Sequence, residues 1–150
     1  MAKPLTANAL KAKPAPIAAQ PSIFGAPLAK ARGAALAGEI YRLTPEALLK
    51  IWGAHYSADE LHETVASERT LARRVAKREP LSAVETDRAI RLARVTAETE
   101  RVFAESKKAA RWLRSPNGEL GERTPLSLLK SEADARAVED TLIRIDHGIY

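Results

Sequence analysis

Three histidines, His55, His62 and His147, are the side chains in this sequence best suited to acid–base or metal chemistry near neutral pH. His55 and His62 stand seven residues apart and can share a helical face, but no Cys or carboxylate completes a ligand set around them. The chain has no cysteine, which removes thiol chemistry, disulfides and Cys-based zinc sites. Carboxylate pairs such as Glu139 and Asp140 are neighbours in sequence and diverge on a helix. There is no Gly-rich phosphate loop and no Ser–His–Asp arrangement. The expectation is a protein that is not an enzyme and takes no metal and no cofactor.

The sequence does concentrate cationic donors, in two places. The first is a helix over 68–78, preceded by a helix over 57–65 and a tight turn, which is helix-turn-helix spacing. A helical wheel points Leu71 and Val75 inward and leaves Arg69, Thr70, Arg73 and Lys77 on the opposite side, with Arg74 and Arg78 flanking. A basic face carrying a Thr suits the major groove, where Arg pairs with guanine and with phosphates. The same pattern also describes the solvated basic face of a helical bundle, and Glu63-Thr64-Val65-Ala66 lacks the usual turn glycine. The second place is RWLRSPNGELGERTPL, residues 111–126, a Trp followed by turn formers shortly before RIDHGIY. Pro116 presets its φ, and Asn117 and Gly118 tolerate positive φ.

The elements that must position these groups all read as helices, so an all-α fold is expected. Thr44-Pro45-Glu46 is a helix start, with an N-cap and a proline at the first helical position. Ser57-Ala58-Asp59-Glu60 and Ser82-Ala83-Val84-Glu85 are capping boxes, and Ser67 can cap the helix between them. The long helix from Ser82 carries Ala89, Leu92, Val95, Val102 and Phe103 on one stripe, with a break expected near Glu105 or Ser106. A short helix to Arg114 buries Ala109, Trp112 and Leu113. Thr124-Pro125 opens another short one, and Ser131 opens a last helix with Ala135, Val138, Leu142 and Ile145 inward, ended by Gly148.

The net charge of +5 is uneven: residues 1–38 hold five basic groups and no acid, while residues 39–150 hold 19 of each sign. Five of the nine prolines fall in the first 27 residues. A flexible basic Pro/Ala-rich arm over 1–38 is therefore expected, either solvated or touching phosphates, with order beginning between Leu28 and Thr44. No apolar run approaches the roughly 20 residues needed to span a bilayer, and the N-terminus lacks a signal-peptide core, so a cytoplasmic protein is expected.

The string from Ala110 to Asn117, Leu120 to Leu129, the spaced pattern across Ala135 to Ile145 and the terminal HGIY together resemble the toxin-binding domain of the Xre/MbcA/ParS antitoxins. SERTLARRVAKREPLSAVETDRAIRLARV looks like the Xre-type helix-turn-helix half of the same family, so the resemblance covers about residues 44–150. It implies an Xre-like DNA-binding domain over 39–100 and a toxin-binding domain over 101–150. It also implies a RES-domain toxin as partner, one that consumes NAD or uses it for ADP-ribosylation, with the antitoxin covering its cleft. Operator DNA and a second copy of the chain are further implied partners. Arg111, Arg114, Asn117, Arg123, His147, Gly148, Ile149 and Tyr150 are the residues such a contact would use; Arg69, Thr70, Arg73, Arg74, Lys77 and Arg78 are those for DNA. A stand-alone helix-turn-helix repressor without a toxin is the rival reading.

Overall fold

The computed structural model describes residues 22–149; the segment 1–21 and Tyr150 lie outside the described residues. Among the described residues seven α-helices follow in order: α1 Gly25–Leu36, α2 Pro45–Ile51, α3 Ala58–Thr64, α4 Glu68–Lys77, α5 Ala83–Phe103, α6 Ser106–Leu113 and α7 Glu132–Asp146. Short 3-10 turns lie at Trp52–Ala54, Gly118–Leu120 and Leu126–Leu128. Among the described residues the only β pairing is an isolated bridge between Asn117 and Arg123.

The helix starts follow from their side chains. Thr44, Ser57, Ser67, Ser82 and Ser131 each accept a hydrogen bond from the backbone amide three residues on. That satisfies donors the helix itself cannot use. At Ser57 and Ser82 the bond is reciprocal: Glu60 and Glu85 accept from the cap amides at 2.9 and 2.8 Å. The ends differ in kind. Gly148 closes α7 at φ 69°, with its own amide on Ile145 O and that of Ile149 on Arg144 O. This is a Schellman turn. The turn that ends α4 has the same two bonds but puts Arg78 at φ 55°, and α5 ends on Ala104 at φ 55°.

α5 is the axis, about 30 Å long at 1.5 Å per residue. α1 and α3 pack along it, as do α6 and α7. Its buried stripe is Ala89, Leu92, Ala93, Val95, Thr96 and Thr99. The alanines let neighbours approach closely. Thr96 and Thr99 enter the core because each donates its hydroxyl to the carbonyl one turn back, Leu92 at 2.6 Å and Val95 at 2.7 Å. One cluster of buried side chains runs from Phe24 and Trp52 through Leu92 to Leu129 and Leu142. α5 itself runs through residues 100 and 101, where the sequence divides into two implied domains.

Two expectations change. The described residues begin at Ser22, earlier than the expected start of order, and Phe24 is fully buried against Trp52 and His55, both with ring centroids at 5.2 Å, which holds α1 in place. Residues 22–38 of the expected arm therefore belong to the folded body. Val75 is 40% exposed rather than inward. The inward arc of α4 is centred on Leu71 and Arg74, because Glu85 draws Arg74 toward the body.

Ala104 has a left-handed conformation that an L side chain adopts only at a cost. Ala104→Gly is expected to stabilise the protein by about 0.5–1 kcal/mol. Urea unfolding of the two proteins measures this, and an unchanged or lower midpoint would show that the turn is not strained.

Candidate functional site

On α4, Arg69, Arg73 and Lys77 are exposed and take part in no ion pair among the described residues. They form the outer face of a helix pair, α3 and α4, joined by Val65-Ala66-Ser67. Thr70 is half-buried, and its hydroxyl accepts from Ser67 Oγ at 2.9 Å. Arg78 is exposed in the turn that ends α4.

Arg74 departs from the group. Its guanidinium forks onto Glu85 with both bonds at 3.2 Å and also reaches Glu79 at 3.3 Å. Burial pushes the Glu85 carboxyl up, but the Ser82 amide and Arg74 together hold it below the ordinary carboxylate range. The pair clamps α4 to the N-terminus of α5 and commits three of the Arg74 donors. Of the six residues expected at DNA, Arg74 is thus the one that the structure pairs with the body as a strut.

The second surface is the loop between α6 and α7. Asn117 caps the Gly118–Leu120 turn by accepting from the Glu119 amide at 2.9 Å. Its own amide donates to Arg123 O at 3.1 Å. Gly121 and Glu122 are both left-handed, at φ 66° and 60°, so the chain doubles back tightly here. Arg144 of α7 pairs with Glu119 at 2.9 Å, which sets the loop beside the end of the last helix. Asn117 and Arg123 are thus brought together, with His147, Gly148 and Ile149 following on from Arg144. Arg123, His147 and Ile149 are exposed, Ile149 at 63%. Arg111 is exposed on α6. Tyr150, the eighth residue of the expected contact, lies outside the described residues.

Arg114 points the other way. It holds Glu60 at 2.6 and 3.0 Å, donates to His55 O at 3.1 Å and Ala110 O at 3.2 Å, and lies 5.3 Å over the Tyr56 ring. The Arg114 guanidinium holds the Glu60 carboxyl below its usual range. Burial pushes the Tyr56 phenol up to about 12. Glu60 is also the third residue of the α3 capping box, so Arg114 ties the end of α6 to the start of the helix pair. Arg114, expected at the toxin contact, is exposed and holds this strut position.

The histidines do not converge. His55 stacks on Phe24, His62 is half-buried on α3, and His147 is exposed at the end of α7. Sequence reasoning missed Arg91, which grips Leu129 O, Lys130 O and Glu132 across 38 to 41 residues. Nothing local signals such a pair.

Arg114→Ala is expected to cost about 1–2 kcal/mol of stability, since it leaves Glu60 and two carbonyls without their charged donor at a partly exposed site. Acid should act on the same pairs. Glu60, Glu85, Glu132 and Asp146 all have depressed carboxyls, so their contribution is complete above the unfolded value of about 4 and is lost as pH falls through the folded value. Unfolding free energy should be level from about pH 7 to 5 and drop below about 4.3, less steeply in Glu85→Gln. An equal acid slope in that variant would show that the Arg74–Glu85 clamp carries no such linkage.

The family model of the antitoxin Xre/MbcA/ParS C-terminal toxin-binding domain matches residues 99–148. That stretch contains the end of α5, α6, the loop and α7. The chain is 39% identical over 80 residues to antitoxin Xre of Pseudomonas putida, covering 53% of this chain and half of that protein. It is 32% identical over 103 residues to antitoxin Xre of Yersinia enterocolitica, covering 68% of this chain and 70% of that protein. It is also 33% identical over 99 residues to antitoxin Xre of Photorhabdus laumondii, covering 65% and 67%. With a toxin-binding domain folded around α7 and relatives aligned well beyond it, the chain belongs to the Xre antitoxin family.

Proposed function

We propose that this chain neutralises a RES-domain toxin by laying the loop 115–123 and the end of α7 over the toxin's NAD-binding cleft. A homodimer then represses its own operon through α3 and α4. The observation that carries the toxin half is the match over residues 99–148, in which the outward groups are Arg111, Arg123, His147 and Ile149. An NAD cleft must receive phosphates and a cationic ring, so a covering surface needs donors and a wedge. The exposed arginines supply donors, and Ile149 with Tyr150 after it supplies the wedge. The loop is rigid before binding, because Asn117, Arg123 and the Glu119–Arg144 pair fix it to the body. Less entropy is then lost on docking. In this reading Asn117 and Gly148 shape the surface rather than touch the toxin through their side chains.

Arg69, Arg73 and Lys77 support the DNA half, since they stand uncommitted on one face of α4. Phosphate and guanine both want such donors. Arg78 extends that face from the turn that follows. The cytoplasm, where operon and toxin meet, is the compartment this reading requires. No helix among the described residues is long and apolar enough to cross a membrane.

Two measurements separate the halves. Removing residues 147–150 should leave folding and operator binding intact and weaken neutralisation by about 2 kcal/mol or more, the weight of one buried aromatic anchor. Toxin NAD consumption titrated with antitoxin reads this out, and full inhibition by the truncated chain at wild-type concentrations removes the wedge. Arg73→Ala should weaken operator binding by about 1–3 kcal/mol without changing stability. Wild-type protein that shifts no operator fragment at low salt would remove the DNA half and leave the toxin half standing.

A further inference from the structure

The link between α1 and α2 holds an uncommitted cation, Arg42. Along this stretch Tyr41 is half-buried, Arg42 exposed and Leu43 buried. Two bonds of the Leu43 backbone pin it. The Leu43 amide donates to Thr86 Oγ1 of α5 at 3.2 Å, and the Leu43 carbonyl accepts from the Leu81 amide at 2.8 Å. Leu43 and Leu81 are both in the core, so opening either bond strands a buried polar group. Leu81 comes three residues after Arg78, which makes the left-handed turn that ends α4. α2, which starts just after the link, packs on α4 as well. The fold thus sets Arg42 beside the end of the basic face, far from it in sequence. Among the described residues no ion pair includes Arg42, Lys77 or Arg78. The acids of the turn are already used: Glu79 faces Arg74, and Glu85 holds both Arg74 and the Ser82 amide. Glu39 and Glu46, exposed on either side of Arg42 in the chain, do not pair with it, and the three cations keep this corner positive.

We propose that Arg42 contacts a backbone phosphate of the operator, adding affinity without sequence choice. This rests on the reading of α4 as the DNA-facing helix. From Arg69 to Lys77 that face is about 12 Å long at 1.5 Å per residue, which matches a major groove about 12 Å wide. Donors beyond its end lie over the strands that wall the groove, where they meet phosphates instead of base edges. Arg78 in the turn and Arg42 in the pinned link are those donors. A guanidinium at this place gains by releasing counterions whatever the base pairs beneath it. Its backbone is already fixed through Leu43, so only the Arg42 side chain has to be ordered on binding. The toxin surface proposed above lies on other elements, the loop 115–123 and the end of α7, and is independent of this contact.

Equilibrium binding of the full-length chain to an operator duplex and to a scrambled duplex, over roughly 50–200 mM salt, tests this. Arg42→Ala should reduce the slope of log affinity against log salt by about one. Its loss of affinity should then be roughly threefold larger at the low end of that range than at the high end, and equal for the two duplexes. Arg42→Lys, which keeps the charge, should keep the wild-type slope, and both variants should keep the wild-type urea midpoint. Arg73→Ala supplies the contrast, weakening the operator more than the scrambled duplex. With wild type binding, an unchanged slope in Arg42→Ala overturns the phosphate contact and leaves the DNA reading of α4 standing. A loss confined to the operator, or one shared in full by Arg42→Lys, overturns it too. Wild-type protein that binds neither duplex overturns both the contact and the reading it rests on.

Discussion

Trp52 donates its indole N–H to the carbonyl of Ala89, in the second turn of α5, at 2.9 Å, and both groups are buried. A buried indole without an acceptor is costly, so this bond fixes both the depth and the rotation of the 52–56 turn on the long helix. The remaining contacts follow from that setting. Phe24 lies against the outer face of Trp52 and attaches α1. Four residues on, Tyr56 reaches Thr96, two turns further along α5, and Arg114 closes over the Tyr56 ring. The hub is therefore shared by the N-terminal helix, the helix pair and the toxin-binding segment, and α5 serves all three with one stripe.

This economy explains where the charged groups go. Arginines nearest the hub and the axis are used for construction: Arg74 on Glu85, Arg91 on Glu132 and two carbonyls, Arg114 on Glu60. Bidentate guanidinium–carboxylate pairs are directional and hold elements that share little apolar area. Arg69, Arg73, Arg111 and Arg123 stay outside and are the donors the proposed contacts would use. A basic patch read from sequence does not show which arginines are paired within the fold. The same residue type serves both uses, and only the location of its carboxylate separates them.

The parts of the fold legible in sequence are those decided within one helical turn. Ser57, Ser67, Ser82 and Ser131 cap where the spacing says they should, and the break after Phe103 comes where the apolar stripe stops. Trp112 sits half-buried on Phe103 while Leu113 enters the core. What escaped was non-local. GAPLAKARGAAL has two glycines, a proline and no strong apolar face, so α1 exists chiefly because Phe24 finds Trp52 and His55. The strut roles of Arg74 and Arg114 depend on carboxylates 11 and 54 residues away. The loop between α6 and α7 was visible through Pro116, Asn117 and Gly118, and its attachment to α7 through Arg144 was not.

The central claim is that the family's toxin contact in this chain is the loop and the end of α7, while α4 faces elsewhere. Hydrogen exchange on the full-length chain, with and without a RES-domain toxin, tests it most directly. The account predicts added protection at amides of 111–123 and 144–150, with those of 68–77 unchanged. Protection confined to 68–77, with none in the loop or at the end of α7, would contradict it.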